Sequence, residues 1–350
     1  MQKSDYAALI DKEVAYLPFY VKEFNLTKNL SLATKYQYLT EIRRFFDWLR
    51  SSGIANVKAN KDISLNCLRD LKREDVMLYI DYLKNTKNSH GKYNNPTTIN
   101  RTINSLRSLY TYLTVTADNN DGEPYFYRNV MKKIESLPSS QTLNYRAHEI
   151  ERKIYQGDLK HEFLDFLENG YETQVNSYTG GNFRIHKKRD IAIIALLLGT
   201  GIRVSEAANS DVEDLNIRDG MLNVTRKGGQ RDAVPIAEWT IGYIRPYYEN
   251  RISMYKQDRK EKGLFLTRYR GKYKRITSAA IERFVEKYST AFGRPITPHK
   301  LRHTLASELY QETKDQVLVS QQLGQKGTSA TDLYTHIGQS KQKEALNKIK

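Results

Sequence analysis

Apolar side chains recur three and four positions apart through the first 113 residues, and nowhere in that stretch do they alternate. Residues 5–25 set Leu9, Ile10, Val14, Leu17, Tyr20 and Val21 at helical spacing. Residues 34–49 set Tyr36, Leu39, Ile42, Phe45, Phe46 and Leu49 on one face, with Lys35, Arg43, Arg44 and Arg50 off it, until Ser51-Ser52-Gly53 stops the pattern. Two more stripes follow: Val76, Tyr79, Ile80 and Leu83 over 74–84, then Ile99, Ile103, Leu106, Leu109, Tyr110 and Leu113 after Pro96-Thr97-Thr98, with Arg101 and Arg107 outside the stripe. Such helices bury their stripes against one another, so residues 1–134 are expected to form an all-helical domain. Turn-forming Leu137-Pro138-Ser139-Ser140-Gln141 and the charged residues after it mark 135–158 as the expected linker.

The remainder, 159–350, has a mixed pattern. A helix is expected near 159–169, a long surface loop around Gly180-Gly181 over 170–188, and an apolar helix over 191–198. The one clear β signal lies at 221–225 and 231–236, which alternate on either side of Arg226-Lys227-Gly228-Gly229-Gln230 and predict a hairpin with Lys227 near its tip. Residues 264–266 can add a short strand. Helices follow over 278–291, 298–311 and 315–323, and 341–350 form an amphipathic tail with Ala345, Leu346 and Ile349 on one side. The fold class expected is mainly α with a small β-sheet in the second domain.

Charge narrows the partner. Of the net charge of +16, residues 1–134 carry 21 Lys and Arg against 14 Asp and Glu, and residues 135–350 carry 35 against 26. An excess in both halves fits a polyanion touched by both, and in the cytosol that polyanion is nucleic acid; a merely solvated basic surface is the alternative. The 25 tyrosines suit wet interfaces, since each buries a ring and keeps a hydroxyl at its edge. A single cysteine, Cys67, forms neither an internal disulfide nor a cysteine-based zinc site. No apolar run approaches the roughly 18 residues of a membrane span, and Met1-Gln2-Lys3-Ser4-Asp5 is no secretion signal, so a cytoplasmic protein is expected.

The reactive groups cluster late in the chain. Thr297-Pro298-His299-Lys300-Leu301-Arg302-His303 puts an imidazole and a guanidinium one helical turn apart, and Tyr334 follows in Asp332-Leu333-Tyr334-Thr335-His336. Arg203 opens a helix after Gly199-Thr200-Gly201, with Glu206 one turn on and able to orient it; on those two residues alone an ordinary surface ion pair is the better reading. The glycines do not form a nucleotide loop, because the third glycine and the lysine are missing. Cations and a tyrosine cooperate if the substrate is a phosphodiester. Guanidinium groups stabilise the charge that builds on the nonbridging oxygens. Tyrosine, with an ordinary pKa near 10, needs a base and a positive field before it attacks. Histidine accepts that proton near neutral pH, and a lysine on a hairpin can return one to the departing 5′ oxygen. His299 and His303 are also four apart, a metal-ligand spacing, but no third ligand follows; His303 and His336 are expected to pack or bond locally.

Arg203 in Gly-Ile-Arg-Val-Ser-Glu, Lys227 in its turn, His299-Lys-Leu-Arg302, and Tyr334 in Leu-Tyr-Thr-His resemble the tyrosine recombinases, in that family's order across 190–336. The helical pattern of 34–49 and 96–113 resembles the family's SAM-like core-binding domain. The resemblance implies a C-shaped clamp on duplex DNA, with Arg203 and Arg302 on the scissile phosphate, Lys227 as the acid, His299 assisting proton transfer, and Tyr334 forming a 3′-phosphotyrosyl bond. It implies no cofactor, since the bond energy is retained and neither ATP nor metal is needed. Four copies would act on two sites with inverted-repeat-like sequence, through a Holliday junction, and the tail 341–350 would pack into a neighbouring protomer. At position 325 most relatives carry histidine or tryptophan; Gln325 keeps a hydrogen-bond donor but no charge. Within the family the chain looks most like the Xer-type recombinases that act without a second recombinase to resolve chromosome dimers, beside a septal DNA translocase of the FtsK kind. An integrase of a mobile element, a type IB topoisomerase and a catalytically inactive DNA-binding protein are the alternatives.

Overall fold

Two compact units, Met1–Ser140 and Gln141–Lys350, divide the chain. The computed structural model describes residues 3–88, 91–255, 261–269, 271–328, 331–337 and 346–349.

The first unit is built from α1 (Lys3–Ala15), α2 (Phe19–Thr27), α3 (Leu32–Ser51), α4 (Leu65–Asp70), α5 (Arg73–Asn85) and α6 (Pro96–Thr111). The stripe over 5–25 forms two helices rather than one. Pro18, with φ −61° and extended ψ, has no N–H to continue α1 and instead precedes the first turn of α2. Ser31 caps α3 by accepting the Thr34 N–H, and Asn95 caps α6 by accepting that of Thr98, with Pro96 in its first turn. Ile42, Phe45, Phe46, Leu49, Tyr79, Leu106 and Tyr110 fill the core between them. One carboxylate is buried there. Glu41 of α3 accepts the Thr102 hydroxyl at 2.8 Å and pairs with Arg101 at 3.4 Å and Arg44 at 3.6 Å.

The second unit holds α7 (Leu143–Glu151), α8 (Leu159–Asp165), α9 (Ser177–Thr200), α10 (Val204–Asn209), β1 (Leu215–Asn216), β2 (Met221–Thr225), β3 (Arg231–Pro235) and α11 (Ile241–Tyr255). It continues with β4 (Leu266–Tyr269), β5 (Lys272–Arg275), α12 (Ser278–Ala291), α13 (Pro298–Thr313), α14 (Gln316–Leu323) and α15 (Asp332–Thr335). The segment 135–158, read as a linker, carries α7, whose Ala147 is fully buried against α13–α15 residues.

The loop expected over 170–188 is a correction: α9 starts at Ser177 and runs 24 residues. Asn176 caps it by accepting the Thr179 N–H at 2.9 Å, and Gly180 lies close against Glu172 and Val175. The glycine pair that suggested a loop thus lies inside a helix, with Gly180 buried and nothing close to Gly181. From Arg189 to Thr200 every residue of α9 is buried, which makes this helix the axis of the unit. Its buried Arg189 and Asp190 pair with each other, and Asp190 also accepts the Tyr288 hydroxyl at 2.6 Å. Strands β1, β2 and β3 form an antiparallel sheet with Met221 opposite Pro235 and Thr225 opposite Arg231, which is the expected hairpin extended by one short strand. The short strand expected at 264–266 is displaced toward the C-terminus: β4 shares only Leu266 with it, runs to Tyr269 and pairs with β5. Lys272-Tyr273-Lys274-Arg275 alternates exposed and half-buried with no apolar face, so hydrophobic periodicity gave no sign of β5.

Candidate active site

The end of α9 sets the site. Gly201 terminates the helix in the left-handed conformation, φ +64°, and donates its N–H to Leu197. A Cβ there would stand 2.9 Å from Leu323 and 3.0 Å from Leu305, so the missing side chain also lets α13 and α14 close on this turn. Two residues on, Arg203 precedes α10 and its backbone N–H donates to Glu206 Oε2 at 2.8 Å, while its Nη1 donates to Glu206 Oε1 at 2.7 Å. Glu206 is 4% exposed. The pair is therefore a buried carboxylate orienting a half-exposed guanidinium.

A second arginine holds that carboxylate from the other side. Arg226, which closes β2, donates through Nη1 to Glu206 Oε2 at 3.0 Å, through Nε to Asp232 at 2.8 Å, and through Nη2 to the Gln322 carbonyl at 3.3 Å. Its guanidinium lies close against Gly324, where a Cβ would meet Nε at 2.2 Å. Sequence reading passed over Arg226, yet the alternation of β2 marked it: Leu222, Val224 and Arg226 share the buried face.

Arg302, from the first turns of α13, is buried and bridges two backbone carbonyls, Gly201 at 2.6 Å and Leu323 at 2.7 Å. Arg203 Nη2 reaches the next carbonyl, Gly324, at 3.5 Å. The two guanidiniums thus grip adjacent peptides at the end of α14. Burial, and then the charge of Arg203, lower the Arg302 pKa to about 10, which leaves it charged at neutral pH.

Tyr334 of α15 is 2% exposed, with its ring among Ala147, Ala306, Val319, Leu323, Leu333 and Ile337. Its hydroxyl meets His303 Nδ1 at 2.8 Å, and His303 Nε2 meets His299 Nε2 at 3.1 Å. His303 therefore bonds locally, and its partner is the candidate nucleophile. Burial raises the Tyr334 hydroxyl to about 12 against the opposing charge of Arg302. Burial first, then His299, Arg302, Arg146 and Lys300, lower His303 to about 4. His299 is held below its usual value by partial burial and by Arg302 and Arg203. The helical spacing of His299 and His303 was the available sign of their contact. The His336 backbone N–H closes a turn on Leu333 at 3.3 Å.

The other predicted residues are placed as follows. Lys227 sits exposed in the β2–β3 turn beside Gly228 and Gly229, and its ammonium has no partner among the described residues. Gln325 donates its backbone N–H to Ser320 at 3.0 Å, and its side-chain carbonyl is buried without a partner among the described residues. In the first unit, Lys35 donates to the Asn25 carbonyl at 2.7 Å, and Arg43 pairs with Glu13 at 2.7 Å and Asp47 at 2.9 Å. Arg44 and Arg101 reach Glu41 as above, and Arg107 donates to Ser136 at 2.9 Å and to the Ile134 carbonyl. Of the tail, 341–345 and 350 lie outside the described residues, while Leu346 and Ile349 are exposed. Among the described residues no third imidazole, thiol or carboxylate joins the histidine pair to hold a metal, and no helix is long and apolar enough to cross a membrane.

Residues 168–341 match the phage integrase family and residues 21–116 match the phage integrase N-terminal SAM-like domain. The chain belongs to the tyrosine recombinases of that family, enzymes that break and rejoin DNA at specific sites. It is 45% identical over 348 residues to tyrosine recombinase XerS of Streptococcus uberis, spanning 97% of this chain and 98% of that relative. It is 46% identical over 356 residues to tyrosine recombinase XerS of Lactococcus lactis subsp. cremoris, spanning all of both. Among solved structures, the XerH site-specific recombinase in a post-cleavage complex with palindromic difH substrate superposes with a TM-score of 0.64 at 20% identity, over 91% of this chain and 79% of that one. A lambda integrase tetramer bound to a Holliday junction gives 0.55 at 13% identity, over 90% and 76%. These likenesses share the fold.

Proposed function

We propose that this recombinase resolves chromosome dimers in the cytoplasm, with Arg203 and Arg302 as the phosphate clamp and Tyr334 as the nucleophile. The observation that carries the site reading is the grip of both guanidiniums on the adjacent carbonyls of Leu323 and Gly324, which sets two positive charges side by side. A phosphodiester bridging them has its nonbridging oxygens neutralised as charge builds. The Tyr334 oxygen bonds to phosphorus, the P–O5′ bond breaks, and the 5′ oxygen takes a proton from Lys227, whose turn position gives it reach. His299 assists proton transfer, and Gln325 offers an amide N–H to a phosphate oxygen. The 3′-phosphotyrosyl bond is then attacked by the 5′ hydroxyl of the partner strand. Four copies on two inverted-repeat-like sites carry out the two exchanges through a Holliday junction, activated by a septal DNA translocase. In the first unit, Arg44 and Arg101 are the cations best placed for DNA, since their side chains are half exposed and their pairing with Glu41 is long.

Incubation with nicked suicide DNA tests this reading. Wild type is expected to become covalently bound to DNA and Tyr334→Phe is not; an adduct with Tyr334→Phe sinks the nucleophile assignment. Glutamine at position 325, where the family pattern has histidine or tryptophan, favours one other reading, an inactive binding protein, which predicts site-specific binding and no wild-type adduct. Relaxation of plasmid lacking the site would indicate a topoisomerase instead.

A further inference from the structure

The hydroxyl of Tyr334 touches His303 and the far nitrogen of His303 touches His299, so three titratable groups stand in a line from a buried hydroxyl to an exposed ring. We propose that His303 is the catalytic residue that takes the Tyr334 proton, and that it passes a proton on to His299. The inference rests on Tyr334 being the nucleophile.

The chemistry follows from the contacts. For Nδ1 to accept from the phenol, His303 carries its own proton on Nε2, where it donates to His299 Nε2 at 3.1 Å. As the tyrosine oxygen bonds to phosphorus, its O–H bond breaks and Nδ1–H forms on His303. The Nε2–H of His303 then breaks and an N–H forms on His299 Nε2. The proton leaves to solvent from His299, while the 5′ oxygen receives its own from Lys227.

The surroundings explain why two histidines are needed. Among the described residues, the charged and titratable groups facing His303 are His299, Lys300 and Arg302 of α13, Arg146 of α7 and the Tyr334 hydroxyl of α15. Four of the five are cationic or become so, and no carboxylate is among them. An extra proton on His303 is disfavoured there, which suits a transfer station and not a store. His299 alone does not do this work, because its ring touches His303 and not the hydroxyl.

The test is single-turnover covalent cleavage of nicked suicide DNA by the full chain. His303→Asn puts an amide where Nδ1 stands, so it keeps a hydrogen bond to Tyr334 but accepts no proton. It is expected to bind DNA as wild type does and to cleave about 100-fold more slowly at neutral pH. Its rate should climb steeply between about pH 7 and pH 9, as hydroxide replaces the missing base, with a shallower climb for wild type. A substrate with sulfur at the bridging 5′ position has a leaving group that needs no acid. It should rescue Lys227→Ala and leave His303→Asn slow. Cleavage by His303→Asn at the wild-type rate, or its rescue by the sulfur substrate, overturns the proposal. Loss of DNA binding by His303→Asn, with His303→Gln cleaving normally, also overturns it, because His303 would then be structural. If wild type forms no adduct, the nucleophile reading fails before this one is reached.

Discussion

Replacing Arg226 with methionine isolates what the second arginine on Glu206 contributes. Methionine keeps most of the stem volume on the buried face of β2 and removes the guanidinium. Removing one partner of a buried ion pair generally costs about 3–5 kcal/mol, because the other charge is left unpaired. The loss here is smaller for a structural reason. Glu206 keeps Arg203 Nη1 at 2.7 Å and the Arg203 N–H at 2.8 Å, and the half-exposed Asp232 returns to water. What disappears is one charge-assisted bond to a buried carboxylate and a weak 3.3 Å bond to Gln322, so about 2 kcal/mol is expected. Tryptophan fluorescence in urea can read the second unit alone, since the chain has two tryptophans, Trp48 in the first unit and Trp239 in the second. In a Trp48→Phe background the midpoint should fall by about 1 M with the slope unchanged. Arg226→Lys, which reaches one carboxylate but not two, should recover about half. Both variants should cleave DNA less than their binding predicts, because Arg203 is left on a looser carboxylate. A stability change below about 0.5 kcal/mol, or full cleavage by folded Arg226→Met, would refute the idea that Arg226 positions Glu206.

Gly324→Ala should destabilise the same unit by at least about 2 kcal/mol, since its Cβ would enter the Arg226 guanidinium at a φ of +57°; Arg226→Gly in the same chain should relieve the clash but not the backbone strain. The salt dependence of DNA binding should separate the cations of the first unit. Arg44→Ala and Arg101→Ala should each flatten the log–log slope by about 0.9, whereas Arg43→Ala, whose charge is held by Glu13 and Asp47, should leave the slope unchanged. Acid should weaken the second unit through His303. Its folded pKa of about 4 lies below its unfolded value of about 6.5, so both states are neutral above pH 6.5 and only the unfolded chain takes the proton below it. Stability from this group is thus present above pH 6.5 and lost as pH falls to 4, by about 3 kcal/mol at most. Urea midpoints of wild type and His303→Asn, compared across that window, should converge as the pH drops.

The elements legible in the sequence were those whose periodicity reports a one-sided core. Helices α3, α5 and α6 and the hairpin β2–β3 have that property, and each was visible. The missed elements failed for specific reasons. Helix α9 carries Gly180 and Gly181 in its first turns and is buried all round in its last, so neither end shows an amphipathic stripe. Strand β5 presents no apolar face at all. The break at Pro18 was written in the sequence but overridden by the stripe that continues across it, from Val14 and Leu17 to Tyr20 and Val21.

The candidate site divides in the same way, between residues dictated by the reaction and residues dictated by what holds them. Phosphoryl chemistry needs cations, a proton acceptor and a nucleophile, but it was the resemblance of their motifs and order to the tyrosine recombinases that made candidates of Arg203, Arg302, His299 and Tyr334. Which group orients which depends on contacts between positions 20 to 121 residues apart, such as Arg226 with Glu206 and Arg203 with Gly324, and no local pattern encodes those. Burial of Tyr334 belongs to this second class. A phenol at 2% exposure, bonded to a neutral histidine and raised to about 12, is not poised to attack. Burial therefore opposes loss of the Tyr334 proton, while the His303 contact in the same pose offers that proton an acceptor, so the two effects are set against each other at one side chain.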